Sequence, residues 1–215
     1  MFRDRYDAGE TVAERLREFA GRRDVIVLAL PRGGVPVGYM VARELGAPLD
    51  VFVVRKLGTP GQAELAMGAI ASGGVRVLNR DVVEALGIPE WEIEQVTRQE
   101  QEELERRERQ YRGDRPPLDV RGKTVILVDD GLATGSTMRA AAAALRKAGA
   151  SRIIVAVPVA SRATCDQLRE EGNEVVCATT PEPFYAVGQW YKDFAQTTDE
   201  EVRELLERAA MKDSR

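Results

Sequence analysis

Histidine is absent from all 215 residues. That omission excludes Ser-His triads, histidine-ligated zinc and any imidazole general base. Only two cysteines occur, Cys165 and Cys177, without CxxC spacing, so buried free thiols are expected in place of a metal or redox site. No apolar run reaches membrane-spanning length, and the first residues, Met1 to Asp7, contain no signal-peptide core. A soluble, cytoplasmic protein with no membrane partner is the expectation. Positive charge is not in excess: 31 Lys and Arg stand against 35 Asp and Glu, a net −4 that argues against nucleic acid as partner. Repeats, low-complexity stretches and linkers are missing too, so the chain is expected to fold as one domain, 1–215, large enough for a real core. Its chemistry must come from carboxylates, hydroxyls, Lys, Arg and backbone amides, with or without a hard, oxygen-liking metal such as magnesium.

What is present centres on residues 125–137. Val125-Ile126-Leu127-Val128 is four apolar residues without alternation, the pattern of a strand buried on both faces in a parallel sheet. It stops on Asp129 and Asp130, then Gly131-Leu132-Ala133-Thr134-Gly135-Ser136-Thr137 leads into the alanine-rich run 138–146, which has very high helix propensity. Ligands of open α/β sheets sit beyond the carboxyl ends of strands, where helix N-termini present unpaired N–H groups that attract phosphate. Gly135 lets the backbone approach an anion, and Thr134, Ser136 and Thr137 add hydroxyls. Two adjacent ionised aspartates repel unless hydroxyl donors or a cation satisfy them; a ribose diol with magnesium nearby supplies both. Phosphate at one end and diol at the other describe a ribose 5-phosphate.

The rest of the chain alternates in the same way. Val12, Leu16 and Phe19 place an amphipathic helix over 8–20. Strand 24–30 breaks at Pro31-Arg32-Gly33-Gly34, whose amides and guanidinium face the same end of the sheet, and helix 35–46 follows, ending at Gly46. Strand 48–54 ends on Arg55 and Lys56. Residues 57–65, with two glycines and a proline, read as a mobile loop, and 66–71 with 75–78 as a hairpin around Ser72-Gly73-Gly74. Helices are expected over 79–86 and from Pro89 to about Arg112. The second is mostly wet: Glu102–Arg106, Glu103–Arg107, Glu105–Arg109 and Glu108–Arg112 are spaced i,i+4, and a thin apolar stripe faces the body or a second copy in a homodimer. Strand 152–159, helix 161–171 and strand 174–178 complete the alternation. The tail 181–194 then gathers five of the twelve aromatics, and a helix over 199–210 closes the chain.

On the two loops, Asp129 to Thr137 and Arg32-Gly33-Gly34, the sequence resembles the type I phosphoribosyltransferases. The resemblance implies an α/β fold, a Rossmann-like parallel-sheet core over about 8–180 with helices on both faces, and a small hood formed by about 181–196 plus the C-terminal helix. It implies phosphoribosyl pyrophosphate, a small base or amine as second substrate, and Mg2+ held indirectly, through ribose hydroxyls or water, by Asp129 and Asp130. Arg32, Lys56, Asp129 and Asp130 become the catalytic candidates. Arg32, Gly33, Gly34, Arg55, Asp129, Asp130, Ala133, Thr134, Gly135, Ser136, Thr137, Tyr185 and Trp190 become the substrate-binding candidates. The peptide between Pro31 and Arg32 is expected to be cis, and 57–65 to fold over the site. Two positions depart from the family's motif: Gly131, where many members carry a branched apolar residue, and Ala133, where purine-specific members carry an acid. Without that acid the base cannot be named, and a sensor that binds phosphoribosyl pyrophosphate or a nucleotide without turnover is the rival. A dinucleotide-binding oxidoreductase lacks its GxGxxG after any strand.

Overall fold

The computed structural model describes residues 1–213. Five parallel strands, β1 (Val25–Ala29), β2 (Leu49–Val51), β6 (Thr124–Val128), β7 (Arg152–Val159) and β8 (Glu174–Thr179), form one sheet in the order β2-β1-β6-β7-β8. The helices between them are α2 (Gly34–Leu45), α5 (Ser136–Lys147) and α6 (Arg162–Glu170), and the family's expected α/β architecture is present. All five residues of β1 and of β6 are buried, as unbroken apolar runs require.

Alternate residues feed two cores. Val25, Val27, Ala29, Ile126 and Val128 face α2 and the helices α1 (Arg5–Glu14), α4 (Glu90–Arg112) and α7 (Asp199–Asp213). Ile26, Leu28, Val125 and Leu127 face α5 and α6. Each buried Val, Leu or Ile side chain among these contributes about 1.5–3 kcal/mol. The first helix starts earlier than its apolar spacing suggests, because the Asp4 carboxylate caps it by accepting from Asp7 N at 2.9 Å.

The expected strand 48–54 divides. β2 ends at Val51, and Val54 already belongs to a second, antiparallel sheet of β3 (Val54–Thr59), β4 (Gln62–Ala71) and β5 (Val75–Leu78). The mobile loop expected over 57–65 is therefore corrected: those residues are the end of β3, a tight turn and the start of β4. Pro60 and Gly61, the latter at φ +77°, occupy the turn's corner. The hairpin around Gly73 and Gly74, both at positive φ, is as expected. Helix α3 (Arg80–Leu86) runs from an Asn79 cap to Gly87 at φ +60°.

Helix α4 makes three of its four expected charge pairs. Arg106 turns instead to Glu103 at 2.7 Å, three residues away, so Glu102–Arg106 is not formed. Its C-terminal end is not wet. The Arg112 side chain, 6% exposed, donates to both oxygens of Asp50 at 2.8 and 2.9 Å and to Val51 O at 2.7 Å, bolting the helix to edge strand β2.

Candidate active site

Strands β1 and β6 lie side by side, and Leu30 N donates to Val128 O at 2.9 Å, so the loops that follow them leave the sheet together. The Pro31–Arg32 peptide is cis, as expected. Gly33 and Gly34 then pass directly against the acidic pair. A Cβ on Gly33 would stand 2.1 Å from Asp130 Oδ2, and one on Gly34 would stand 2.8 Å from Val128 O and 3.0 Å from Asp129 Cα. Glycine is required there by space.

The two carboxylates are unequal. Asp129 Oδ1 accepts from Asp130 N at 2.8 Å. Burial, and then the neighbouring Asp130 charge, hold its carboxyl well above the usual carboxylate range. Burial raises Asp130 too, but the Arg5 guanidinium, with Nε donating to Asp130 Oδ2 at 2.8 Å, pulls it back toward ionisation.

Beyond the pair, the loop from Gly131 to Gly135 curls into the start of α5 as a small cup. Gly135, at φ +69°, precedes α5, and among the described residues no backbone N–H from Thr134 to Thr137 donates to a protein acceptor. Helix α6 holds this loop from outside: Thr164 Oγ1 donates to Ala133 O at 2.6 Å, and its methyl leaves no room for a Cβ on Gly135. Lys56, on β3, donates from Nζ to Ser136 Oγ at 2.8 Å, which brings the antiparallel sheet to the cup's rim. A cavity of about 470 Å³ opens beneath that contact, lined in part by Glu64, Gly68, Val77 and Arg139.

Other candidates are distributed less evenly. Arg32 Nη1 lies 3.8 Å from Asp199 Oδ1 at the start of α7, and Asp199 also accepts from Gln110 Nε2 at 2.7 Å and Tyr111 OH at 3.2 Å. Arg55 points away, into an ion pair with Glu100 at 2.6 Å. Tyr185 is 75% exposed. Trp190 is half-buried with an unpartnered Nε1. The aromatic that reaches the acidic pair is Tyr191, whose hydroxyl donates to Asp130 O at 2.6 Å. Sequence reasoning missed Arg5, Thr164, Tyr191 and Asp199; the aromatic density of 181–194 was the one signal available, and it pointed at the right segment.

An open parallel α/β sheet with an acidic pair and an amide-lined helix entrance at its carboxyl edge defines the class. The chain belongs to the phosphoribosyl transferase domain family, whose model matches residues 3–191. It is 47% identical, over 209 residues, to a Mycobacterium tuberculosis H37Rv protein that carries a provisional phosphoribosyl transferase name. That match covers 97% of this chain and 47% of the relative, so the chain spans about half the length of the mycobacterial protein. The Thermus thermophilus protein TT1426 superposes with a TM-score of 0.86 at 42% identity, covering 95% of this chain and 97% of that one. A hypothetical protein of Neisseria gonorrhoeae solved with bound ppGpp shares the fold, with a TM-score of 0.51 at 16% identity over 97% and 98% of the two chains. Among the described residues no helix is long and apolar enough to cross a membrane.

Proposed function

We propose that this chain transfers a 5-phosphoribosyl group from phosphoribosyl pyrophosphate to a nitrogen nucleophile, a nucleobase or amine, with release of pyrophosphate. The observation that carries the proposal is the run of unbonded N–H groups from Thr134 to Thr137, at the entrance of α5 and directly after Asp129 and Asp130. Unpaired amides at a helix N-terminus suit a phosphate, and adjacent carboxylates suit a diol.

In this reading the amides and hydroxyls of Thr134, Ser136 and Thr137 hold the 5-phosphate, and Asp129 and Asp130 accept from the ribose hydroxyls. The C1–O bond to pyrophosphate breaks with its electron pair leaving on oxygen, the lone pair of the acceptor nitrogen forms the new C1–N bond, and the proton released from that nitrogen passes to the departing pyrophosphate or to solvent. Arg32 and the Gly33-Gly34 amides stabilise the leaving charge, and Lys56 closes the cup from the antiparallel sheet. No side-chain nucleophile is required. Among the described residues no cluster of three or more His, Cys, Asp or Glu stands ready for a metal, so the donor set is the Asp129–Asp130 pair. Two carboxylates fit magnesium, which commonly keeps water and substrate phosphate oxygens as its remaining ligands. When bound through water or the ribose hydroxyls, it would neutralise charge on the departing pyrophosphate.

One observation favours a second reading, binding without turnover: Ala133, exposed at the cup, offers no carboxylate to a purine. The Neisseria protein was solved with bound ppGpp, and a phosphorylated nucleotide of that kind is the ligand to try on such a sensor. Pyrophosphate release, assayed with phosphoribosyl pyrophosphate and magnesium across a panel of bases and amines, separates the two. Release with one acceptor supports transfer; tight binding with silence on every acceptor supports the sensor; no binding refutes both.

A further inference from the structure

Arg5 lies in neither motif, yet its guanidinium meets three separate parts of the chain. Nε donates to Asp130 Oδ2 at 2.8 Å, and Nη1 donates to Ala195 O at 2.7 Å in the C-terminal tail. The guanidinium lies over the Phe194 ring, 4.0 Å from its centroid. Gly33 passes so close that a Cβ there would stand 3.2 Å from Arg5 Nε. The side chain is 11% exposed, and that of Asp130 is 16% exposed. Around this contact Tyr191 packs between Phe2 and Phe194, at centroid distances of 5.6 and 5.0 Å, with its hydroxyl on Asp130 O.

We propose that Arg5 is a positioning residue for the sugar site, fixing the Asp130 carboxylate through Oδ2 in the orientation that receives a ribose hydroxyl while pinning the aromatic tail beside it. The inference rests on the phosphoribosyl reading above. Two neighbouring carboxylates in a part-buried place repel, and one guanidinium offsets one of those charges without covering the second oxygen. Lysine cannot substitute fully. Arginine presents Nε and Nη1 in fixed, diverging directions and offers a flat face to Phe194, whereas an ammonium is a point charge.

The test is isothermal titration of wild type, Arg5→Met and Arg5→Lys with phosphoribosyl pyrophosphate plus magnesium, with ribose 5-phosphate, and with inorganic pyrophosphate. Arg5→Met is expected to weaken both sugar ligands by about tenfold or more while leaving pyrophosphate within about threefold. Arg5→Lys recovers part of the loss. A general structural defect would weaken all three ligands alike, so the split between sugar and pyrophosphate is the diagnostic readout. Arg3→Met, which removes an exposed side chain paired with Asp7, serves as control and leaves all three affinities unchanged. If Arg5→Met does not fold, Arg5→Lys and Tyr191→Phe carry the same comparison, each expected to lose sugar affinity selectively. Wild-type sugar affinity in a folded Arg5 variant, or equal loss for all ligands, overturns the inference alone. Failure of wild type to bind phosphoribosyl pyrophosphate overturns the phosphoribosyl reading and this inference with it.

Discussion

Gly33→Ala isolates the contact between the loop after β1 and the acidic pair. Gly33 sits at φ −60° and ψ −30°, a conformation alanine adopts freely. On backbone grounds the substitution should stabilise by about 0.4–1 kcal/mol, because alanine has less freedom to lose on folding. Space decides otherwise. The added methyl would lie 2.1 Å from Asp130 Oδ2, 2.8 Å from Asp130 Cγ and 3.2 Å from Arg5 Nε. Neither end of that ion pair can yield easily, since Arg5 is held by Ala195 O and Phe194 and Asp130 closes against Tyr191. Overpacking of this kind costs about 1–3 kcal/mol, so a net loss of about 1–2 kcal/mol is expected in guanidinium denaturation. A carboxylate pushed off its position cannot meet the sugar, and affinity for phosphoribosyl pyrophosphate should fall about tenfold or more. Gly46→Ala is the opposite case. At φ +63° with open space around it, it carries backbone strain and no clash, costing about 1 kcal/mol with ligand affinity intact. If Gly33→Ala binds the ligand like wild type, the acidic pair is not where the sugar sits.

Asp129 should make the unliganded protein's stability depend on pH in an unusual direction. Its carboxyl is raised by burial and by Asp130, so the folded state holds the proton more tightly than the unfolded chain does. Stability is fully present below the ordinary aspartate range, near about pH 4, and is lost as pH rises toward the raised value. Asp129→Asn should flatten that slope in denaturant melts and abolish binding of phosphoribosyl pyrophosphate; a steeper slope in the variant would contradict it. Truncating Arg112 to alanine leaves Asp50 buried without its partner and should cost about 3–5 kcal/mol in thermal or chemical unfolding. Lys56→Ala removes the exposed cation that reaches Ser136 and should slow pyrophosphate release with stability unchanged within about 0.5 kcal/mol. Tyr185→Ala should leave stability equally unmoved, and any large loss would show that the exposed ring packs in solution.

The parallel sheet was legible because β1, β6 and β7 are continuous apolar runs, and a strand buried on both faces has no other way to appear. The acidic pair and the cup were legible because they are contiguous, so one local pattern carries carboxylates, small loop and helix start together. The hairpin at 54–71 was not. Proline and glycine mark a corner and a flexible loop alike, and the polar–apolar alternation of Gln62-Ala63-Glu64-Leu65 runs for only four residues, all of them exposed, too short to outweigh that reading. The side chains that complete the site were beyond local reach. Arg5 is 125 residues from Asp130 and Tyr191 is 61 residues from it, and neither position has a signature until the fold brings both chain ends to one place.

Gly131 shows how a departure from the motif can be a packing requirement. In sequence it stands where the motif it resembles commonly carries a branched apolar residue, and glycine alone would leave the loop backbone freer. In the structure the residue is buried, and a Cβ there would lie 2.5 Å from Val187 Cγ1 and 3.0 Å from both Val159 Cγ1 and Val159 O. The space a branched side chain would fill is taken by Val187, from the same tail that supplies Tyr191 and Phe194. Loss of a side chain from the loop and docking of the tail on β7 are therefore one event. With Val187 on one side and Arg5 on the other, the tail is fixed at two points around Asp130. Stiffness that the motif gives up at Gly131 is restored by residues more than fifty positions away.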